Sequence, residues 1–584
     1  MPPWRRKEKP RPDKDPPLAQ QESPQRSTAA PSDPTTSGDP AEKLEKQHAE
    51  FGPLGDPSHL YTSCLAGSAM PDPMVDDPPH RIILTTYISF LVVIFLGHIQ
   101  DFFAQWFYPS TYQHLRPQNG YASLYDDFES FYTRRMKQRI NDCFERPTTG
   151  VAGRHIVLLD RTTEDNVRFQ LVDTATSTLI LSSYNYLGFA QSEGPCADAV
   201  EEAICRDGIS MAGPYQVSTK LHVEVEDQIA RFLGKEAAMV FSIGFAANST
   251  LFPSLVENGC LILSDELNHA SIRFGARLSG AGTEVFAHNN MASLENKLRE
   301  AISQGQPRTH RPWQKILVTV EGLFSMEGTM CNLPRILELK KKYKFHLFID
   351  EAHSIGAIGS QGRGICDYFK ADPAEVDILM GTFTKSFGAN GGYVAASKEI
   401  IDKLRCTNAG QVHGEAPALP ILAQVSCSLR LVADEDTQHP GKGKERLQRL
   451  TFNSRYLRLG LKRLGFIVYG HDDSTIMPAF SREMLRRKIS VIVVTYPATP
   501  LELSRARLCV SAAHTKDDLD RVLKACDEVG EALRLKFSSG MAGGLREPKT
   551  SGSMAAGRNG NEAPRWTLTE VIERGTKDAK STLY

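Results

Sequence analysis

Asp350 and Lys385 stand where this 584-residue chain is best suited to carry chemistry. Asp350 follows the apolar run His346–Ile349, and Lys385 comes shortly after the run Asp377–Met380, within GTFTKSFG. Both runs are short and apolar, as buried strands are. Two more clusters follow runs of the same kind, DELNHAS (265–271) after Cys260–Leu263 and EGLFSMEG (321–328) after Ile316–Val320. Open α/β sheets bind ligands beyond the carboxyl ends of their strands, so the four clusters predict one site. An aspartate ending one strand and a lysine just after the next is what pyridoxal 5'-phosphate demands. The lysine forms a Schiff base, and the carboxylate keeps the pyridine nitrogen protonated so that the ring draws electrons.

The neighbouring residues fit the same cofactor. His353 and Ser325 are within reach of a phenolic oxygen, and His269 is an aromatic plate able to stack on the ring. The phosphate would be met by Thr382 and by backbone N–H groups of the turn Ser242-Ile243-Gly244-Phe245, if a helix starts near Ala246 and offers its N-terminus. Taken singly these signals are weak, since an Asp-x-x-His is more often a surface pair. Their order and their shared place at strand ends carry the reading. GSQGRG (359–364) fits neither the dinucleotide fingerprint nor the phosphate loop.

The elements that position these residues follow an α/β pattern after residue 150, with helices such as Leu333–Lys342 between the strands. That predicts a mainly parallel sheet covered on both faces. A smaller C-terminal α/β unit is expected from a basic amphipathic helix (Glu445–Leu464), strands at Phe466–Tyr469, Val491–Val494 and Leu508–Ser511, and a helix Asp517–Leu533. The domain plan is a disordered tail (1–80), a membrane anchor (81–108), a linker or arm (109–180), a large domain (181–440), a small domain (441–535) and a flexible tail (536–584). The first 80 residues hold 16 of the 34 prolines and show no apolar periodicity. From Ile82 to Gln100 run nineteen residues without Lys, Arg, Asp or Glu, followed by Phe102, Phe103, Trp106, Phe107 and Tyr108. That length approaches a bilayer's hydrocarbon thickness, and the aromatics suit its interface. A buried core helix is the alternative.

Composition excludes other classes. With 68 basic and 69 acidic residues the net charge is −1, so nucleic acid is not an expected partner. The eleven cysteines, Cys64 to Cys526, never come at C-x-x-C spacing, which argues against a zinc cluster or a disulfide framework, and no metal is expected.

DELNHAS, EGLFSMEG, FIDEAHSIGAIG, GTFTKSFGANGGY, YPATP and RLCVSAAHT resemble the α-oxoamine synthases, fold-type I enzymes that join an amino acid to an acyl-CoA through pyridoxal phosphate. SSYNYLGFAQ, KQRINDCFERP and SRARLCVSAAHTKDDLD are similar to the branch acting on L-serine and palmitoyl-CoA, and NAGQVHGEAP to its fungal form. The likeness spans about residues 80 to 540. It implies decarboxylative condensation to 3-oxosphinganine, the first step of long-chain-base synthesis. Lys385, Asp350 and His269 would be catalytic, with Ile243, Gly244, Ser325, His353 and Thr382 as cofactor contacts. Arg507 would bind the amino-acid carboxylate, with Asn185 nearby. It further implies a heteromer with a non-catalytic long-chain-base subunit, contact with membrane lipid, and an endoplasmic reticulum location with the catalytic domain facing the cytosol. A non-catalytic scaffold subunit or another α-oxoamine synthase is the alternative. Two stretches are shorter than the family's, GISMAGPYQVSTKLH (208–222), where Tyr215 replaces an arginine, and the region 470–482.

Overall fold

The structure is a computed structural model. It describes residues 40–65, 80–123, 130–136, 143, 146–164, 168–210, 219–468, 476–477, 480–494, 505–538 and 566–577. Tyr215, the YPATP segment and most of the shortened stretch after residue 469 lie outside the described residues, as do residues 1–39 and 66–79 of the expected tail. The chain divides into two compact units, 1–45 and 46–584. Of the first, only the opening of helix Pro40–Glu50 is described.

A seven-stranded sheet organises the second unit. Its strands are β1 (Ala237–Phe241), β2 (Leu261–Asp265), β3 (Gly282–Phe286), β4 (Ile316–Glu321), β5 (His346–Asp350), β6 (Ile378–Thr382) and β7 (Gly392–Ala396). They lie in the order β1-β7-β6-β5-β4-β2-β3, with only β7 antiparallel to its neighbours. Except in the edge strand β3, alternate residues of the strands enter different cores. Val240, Leu263, Val320 and Ile349 face one apolar cluster, while Met239, Ile262, Leu317 and Phe348 face another. Both faces of the sheet are therefore covered, which is why these strands read as unbroken apolar runs.

Three of the seven strands were not expected. β3 is an edge strand whose residues alternate between half-buried and exposed until Phe286, so its apolar content is low. β1 reads AAMVF and β7 GYVAA, so alanine and glycine make up two and three of their five residues. Gly392 has a steric reason, since a Cβ there would stand 2.7 Å from the Gly381 carbonyl oxygen on β6.

The C-terminal layer holds strands β8 (Ile492–Val494) and β9 (Arg505–Cys509), paired antiparallel with Arg507 opposite Ile492, and the helix Lys516–Ala532. The strand expected at Phe466–Tyr469 is absent over 466–468. Gly465, at φ +88°, ends the helix Lys442–Arg463, and the Phe466 N–H returns to the Leu461 carbonyl at 3.1 Å. Phe466 then packs beside Phe480. The apolar run seals a helix end instead of pairing.

That helix corrects a second expectation. It is not amphipathic at the surface, because Arg455, Arg458 and Arg463 are fully buried. Segments expected to be disordered or flexible cover its basic side. Tyr61 lies under Arg455 at 4.0 Å, and Phe51 lies under Arg446 and Arg449. The Gly52 N–H donates to the Ala513 carbonyl and the Tyr61 N–H to that of Gln448. From the C-terminal side, Trp566 faces Arg463 and Arg574, and the helix Leu568–Arg574, with its Thr567/Glu570 capping box, buries Val571. Residues 46–65 and 566–577 are thus folded parts of the second unit. Guanidinium stacking on aromatic rings lets polar, proline-rich sequence serve as cover, which composition alone does not reveal. The expected arm likewise holds a twisted pair, His155–Thr162 with Gln170–Ile180.

Helix His80–Phe107 is long and apolar enough to cross a membrane. It is not a core helix, for Leu84, Leu91, Phe95, Phe102 and Trp106 are each more than half exposed. One seam packs inward. Asp101 pairs with Arg134 at 2.7 Å and Arg135 at 2.6 Å and accepts from the Tyr112 hydroxyl at 3.1 Å. His98 stacks on Phe131 with ring centroids 4.1 Å apart.

The burial of Val571 gives a test of the C-terminal cover. Val571→Ala removes two buried methyl groups and should cost about 2 kcal/mol in urea unfolding of the detergent-solubilised chain. A change under about 0.5 kcal/mol, the range of an unremarkable surface site, would mean that helix Leu568–Arg574 does not pack there.

Candidate active site

Glu321, Asp350 and Thr382 are the last residues of β4, β5 and β6, and Glu321 is registered opposite Asp350, which is opposite Met380. The parallel register therefore brings three polar groups to one edge. The Asp350 carboxylate is buried, accepting from Asn248 Nδ2 at 2.7 Å on Oδ2 and from the Ala352 N–H at 2.8 Å on Oδ1. Lys385 Nζ comes within 3.2 Å of Thr382 Oγ1 and lies 5.8 Å from the Tyr184 ring centre. Burial pulls its amine down from the ordinary 10.5 to about 8, although Asp350 and Glu321 oppose that shift.

His269 caps the helix Ala270–Ser279, and its N–H donates to Glu321 Oε1 at 2.5 Å. Burial lowers its pKa, with Asp350 opposing. Glu321 is itself pushed well above the usual carboxyl range by burial and then by Asp350. His353 Nδ1 meets the Tyr186 hydroxyl at 2.9 Å. Burial holds its pKa well below 6.5, helped by the positive Lys385 and Arg507, so its ring is neutral. Ser325 is buried in the turn after β4.

Arg507 reaches the same edge from β9, its guanidinium 4.5 Å from the Tyr184 ring centre and its Nε buried without a hydrogen-bond partner. Burial lifts the Tyr184 hydroxyl to about 12. Asn185 lies beside Tyr184, but its amide is engaged elsewhere, donating to the Ala152 carbonyl at 2.9 Å and accepting from the Ala190 N–H at 3.3 Å. Its carbonyl accepts from Ser511 Oγ at 2.6 Å.

Helix Gly244–Leu255 begins at the predicted turn. Ile243 occupies the cap position with no side-chain cap, leaving first-turn N–H groups without a side-chain acceptor. A Cβ on Gly244 would stand 2.6 Å from Thr382 Cγ2, so only glycine lets this turn approach the end of β6. An uncapped helix start facing a threonine, a buried amine near neutral pKa and a buried carboxylate with donors on both oxygens together fit pyridoxal phosphate.

Comparison with known proteins agrees with this arrangement. Residues 176–526 match the family model Aminotransferase class I and II. The chain is 52% identical over 555 residues to serine palmitoyltransferase 2 of Schizosaccharomyces pombe, covering 92% of each, and 50% identical to that of Saccharomyces cerevisiae, covering 93% of this chain and 96% of the relative. The chain belongs to the serine palmitoyltransferase 2 group of the class I and II aminotransferase family. Among solved structures, an SPT with PLP aligns at TM-score 0.60 and 26% identity, covering 70% of this chain and all of that one. Sphingomonas wittichii serine palmitoyltransferase aligns at 0.55 and 26%, covering 62% and 89%. The fold is that of the fold-type I pyridoxal-phosphate enzymes, and pyridoxal phosphate is the family's cofactor.

Within this family site, sequence reasoning left four contributors without a role. Glu321, Tyr184 and Tyr186 sat inside quoted motifs, and only their contacts distinguish them. Asn248 gave one signal, a lone amide one helical turn after Gly244 in an apolar stretch.

The depressed Lys385 pKa gives a pH test. In the cofactor-free chain the folded amine loses its proton near pH 8 and the unfolded one near 10.5. Between these values the unfolded state binds more protons, so stability should rise with pH across that window, and the burial penalty is fully present below it. Comparing unfolding of the cofactor-free wild type with Lys385→Met should show this rise only in the wild type. Parallel curves would mean that the amine is not buried.

Proposed function

We infer that the chain condenses L-serine with palmitoyl-CoA, releasing CO2 and CoA and forming 3-oxosphinganine. The observation that carries this reading is the match of more than nine-tenths of the chain to serine palmitoyltransferase 2 at about half identity, joined to an intact pair of Asp350, at the end of β5, and Lys385, in the loop after the neighbouring β6. A purely scaffolding role would not need that pair.

Pyridoxal phosphate supplies an electron-poor ring that stabilises negative charge at the amino acid's Cα. Lys385 would hold it covalently, and Asp350 would keep a proton on the ring nitrogen. His353 and Ser325 would meet the phenolic oxygen, His269 would stack on the ring, and Thr382 with the Ile243–Gly244 turn would take the phosphate. Arg507 is the group suited to grip the serine carboxylate, because a guanidinium binds it in a bidentate manner. Asn185 acts on that side through backbone placement, its amide being committed to Ala152 and Ala190. An amine near pKa 8 suits Lys385 as the base for the Cα proton, since about a fifth of it is neutral near physiological pH, far more than of an ordinary lysine.

The division into a large domain (181–440) and a small domain (441–535) goes with this reading, one supplying Lys385 and the other Arg507. The exposed apolar flank of helix His80–Phe107 supports membrane attachment. The proposed setting is the endoplasmic reticulum, catalytic domain toward the cytosol, in a heteromer with a non-catalytic long-chain-base subunit.

Lys385→Ala should abolish both the visible absorbance of bound cofactor and product formation from labelled serine, assayed with the partner subunit. Retention of either would remove Lys385 from its role. Arg507→Ala should raise the KM for serine about 10- to 150-fold, as loss of a charge-assisted contact of about 1.5–3 kcal/mol does. A change confined to the acyl-CoA KM would assign Arg507 to the other substrate.

A further inference from the structure

Asn248 is 2% exposed in a helix whose other buried residues are mostly apolar. A buried amide is costly unless its hydrogens are used, and here both are. One goes to Asp350 Oδ2 at 2.7 Å and the other to Ser271 Oγ at 3.0 Å. The amide cannot be turned over, because Oδ1 would then face the Asp350 carboxylate, acceptor against acceptor. Oδ1 is left buried without a partner, the cost of directing both hydrogens inward.

The second bond sets the direction of a third. Ser271 Oγ accepts from Asn248, so its own hydrogen is free for His269 Nδ1, 2.7 Å away. The Ser271 N–H also points to Nδ1, at 3.2 Å. Two donors on Nδ1 make it the acceptor nitrogen and leave the ring proton on Nε2.

We propose that Asn248 and Ser271 are positioning residues, through which one amide fixes both the Asp350 carboxylate and the tautomer and plane of the His269 ring. Resting on the cofactor reading above, this makes the group assigned to the ring nitrogen and the group assigned to the ring face parts of one hydrogen-bonded unit. Asn248 controls both ends of it, and Ser271 controls only the His269 end.

The test uses the full-length chain in detergent with its partner subunit. Pyridoxal phosphate is titrated by absorbance, the pH dependence of the bound cofactor's visible band is recorded, and thermal unfolding is measured without cofactor. Asn248→Ala should weaken cofactor binding about tenfold and displace the pH profile of the band. Ser271→Ala should displace the band's profile with a smaller loss of affinity, and Ser271→Thr, which keeps the hydroxyl, should restore it at equal thermal stability. In the Asn248→Ala background, Ser271→Ala should add little, since the unit is already broken. Unchanged affinity and band in Asn248→Ala would overturn the proposal, as would equal behaviour of Ser271→Ala and Ser271→Thr. The serine variants decide the matter even if Asn248→Ala does not fold. Failure of the wild type itself to bind pyridoxal phosphate would instead overturn the functional reading.

Discussion

Glu321, Asp350 and Lys385 are withdrawn from water at the ends of adjoining parallel strands, and the charge balance among them is the constraint on which the site depends. Burial pushes the Glu321 carboxyl up and the Lys385 amine down. The Lys385 amine favours the ionised form of Glu321, and Glu321 and Asp350 in turn favour the protonated amine, whereas Asp350 works against charge on Glu321, so removing one changes the others. Such a cluster is tolerable only when each member has donors or acceptors in place. Glu321 has the His269 N–H, and Asp350 has Asn248 and the Ala352 N–H. The sheet register sets Glu321 beside Asp350, and the loop and helix starts that follow supply the partners.

Arg507 joins this edge from a different part of the chain, and its place is set by backbone lacing. The Cys509 N–H donates to the Leu181 carbonyl at 2.8 Å, the Ala512 N–H to that of Tyr186 at 2.7 Å, and His514 Nε2 meets that of Ile180 at 2.8 Å. These bonds clamp β9 onto the segment carrying Tyr184 and Tyr186, which face Lys385 and His353. The Arg507 side of the site is therefore built on a seam between the C-terminal layer and the strand end at Ile180. A shift of that seam would move Arg507 and both tyrosines together, and small displacements of positioning groups are costly in rate.

The polar edge formed by these strand ends was legible in sequence because its logic is local. Asp350, Glu321 and Thr382 each close a run that is apolar on both faces, and Lys385 follows within one loop. Strands that lack such runs, the half-exposed Gly282–Phe286 and the small-residue Gly392–Ala396, gave no signal, since their pairing is decided by neighbours distant in sequence. Asn248 gave no more than its lone-amide signal for a related reason. Nothing in one amide within a helix announces that a carboxylate from residue 350 will meet it. The misreading of Lys442–Arg463 has the opposite cause: basic residues normally mark a solvated face, but here Phe51, Tyr61 and Trp566 cover it.

The same principle extends to the exposed apolar helix His80–Phe107. Its outward residues are apolar, yet Asp101, 5% exposed, is paired twice and accepts a third bond from Tyr112. A carboxylate buried in this way costs several kcal/mol if its cations are withdrawn. The Asp101 pairs thus tie the helix to the segment Ser130–Met136 in one rotational setting, reinforced by Gly97, where a Cβ would stand 2.9 Å from the Phe131 ring. A helix without such a seam would be free to turn about its axis. This one keeps its polar seam against the protein and its apolar flank outward.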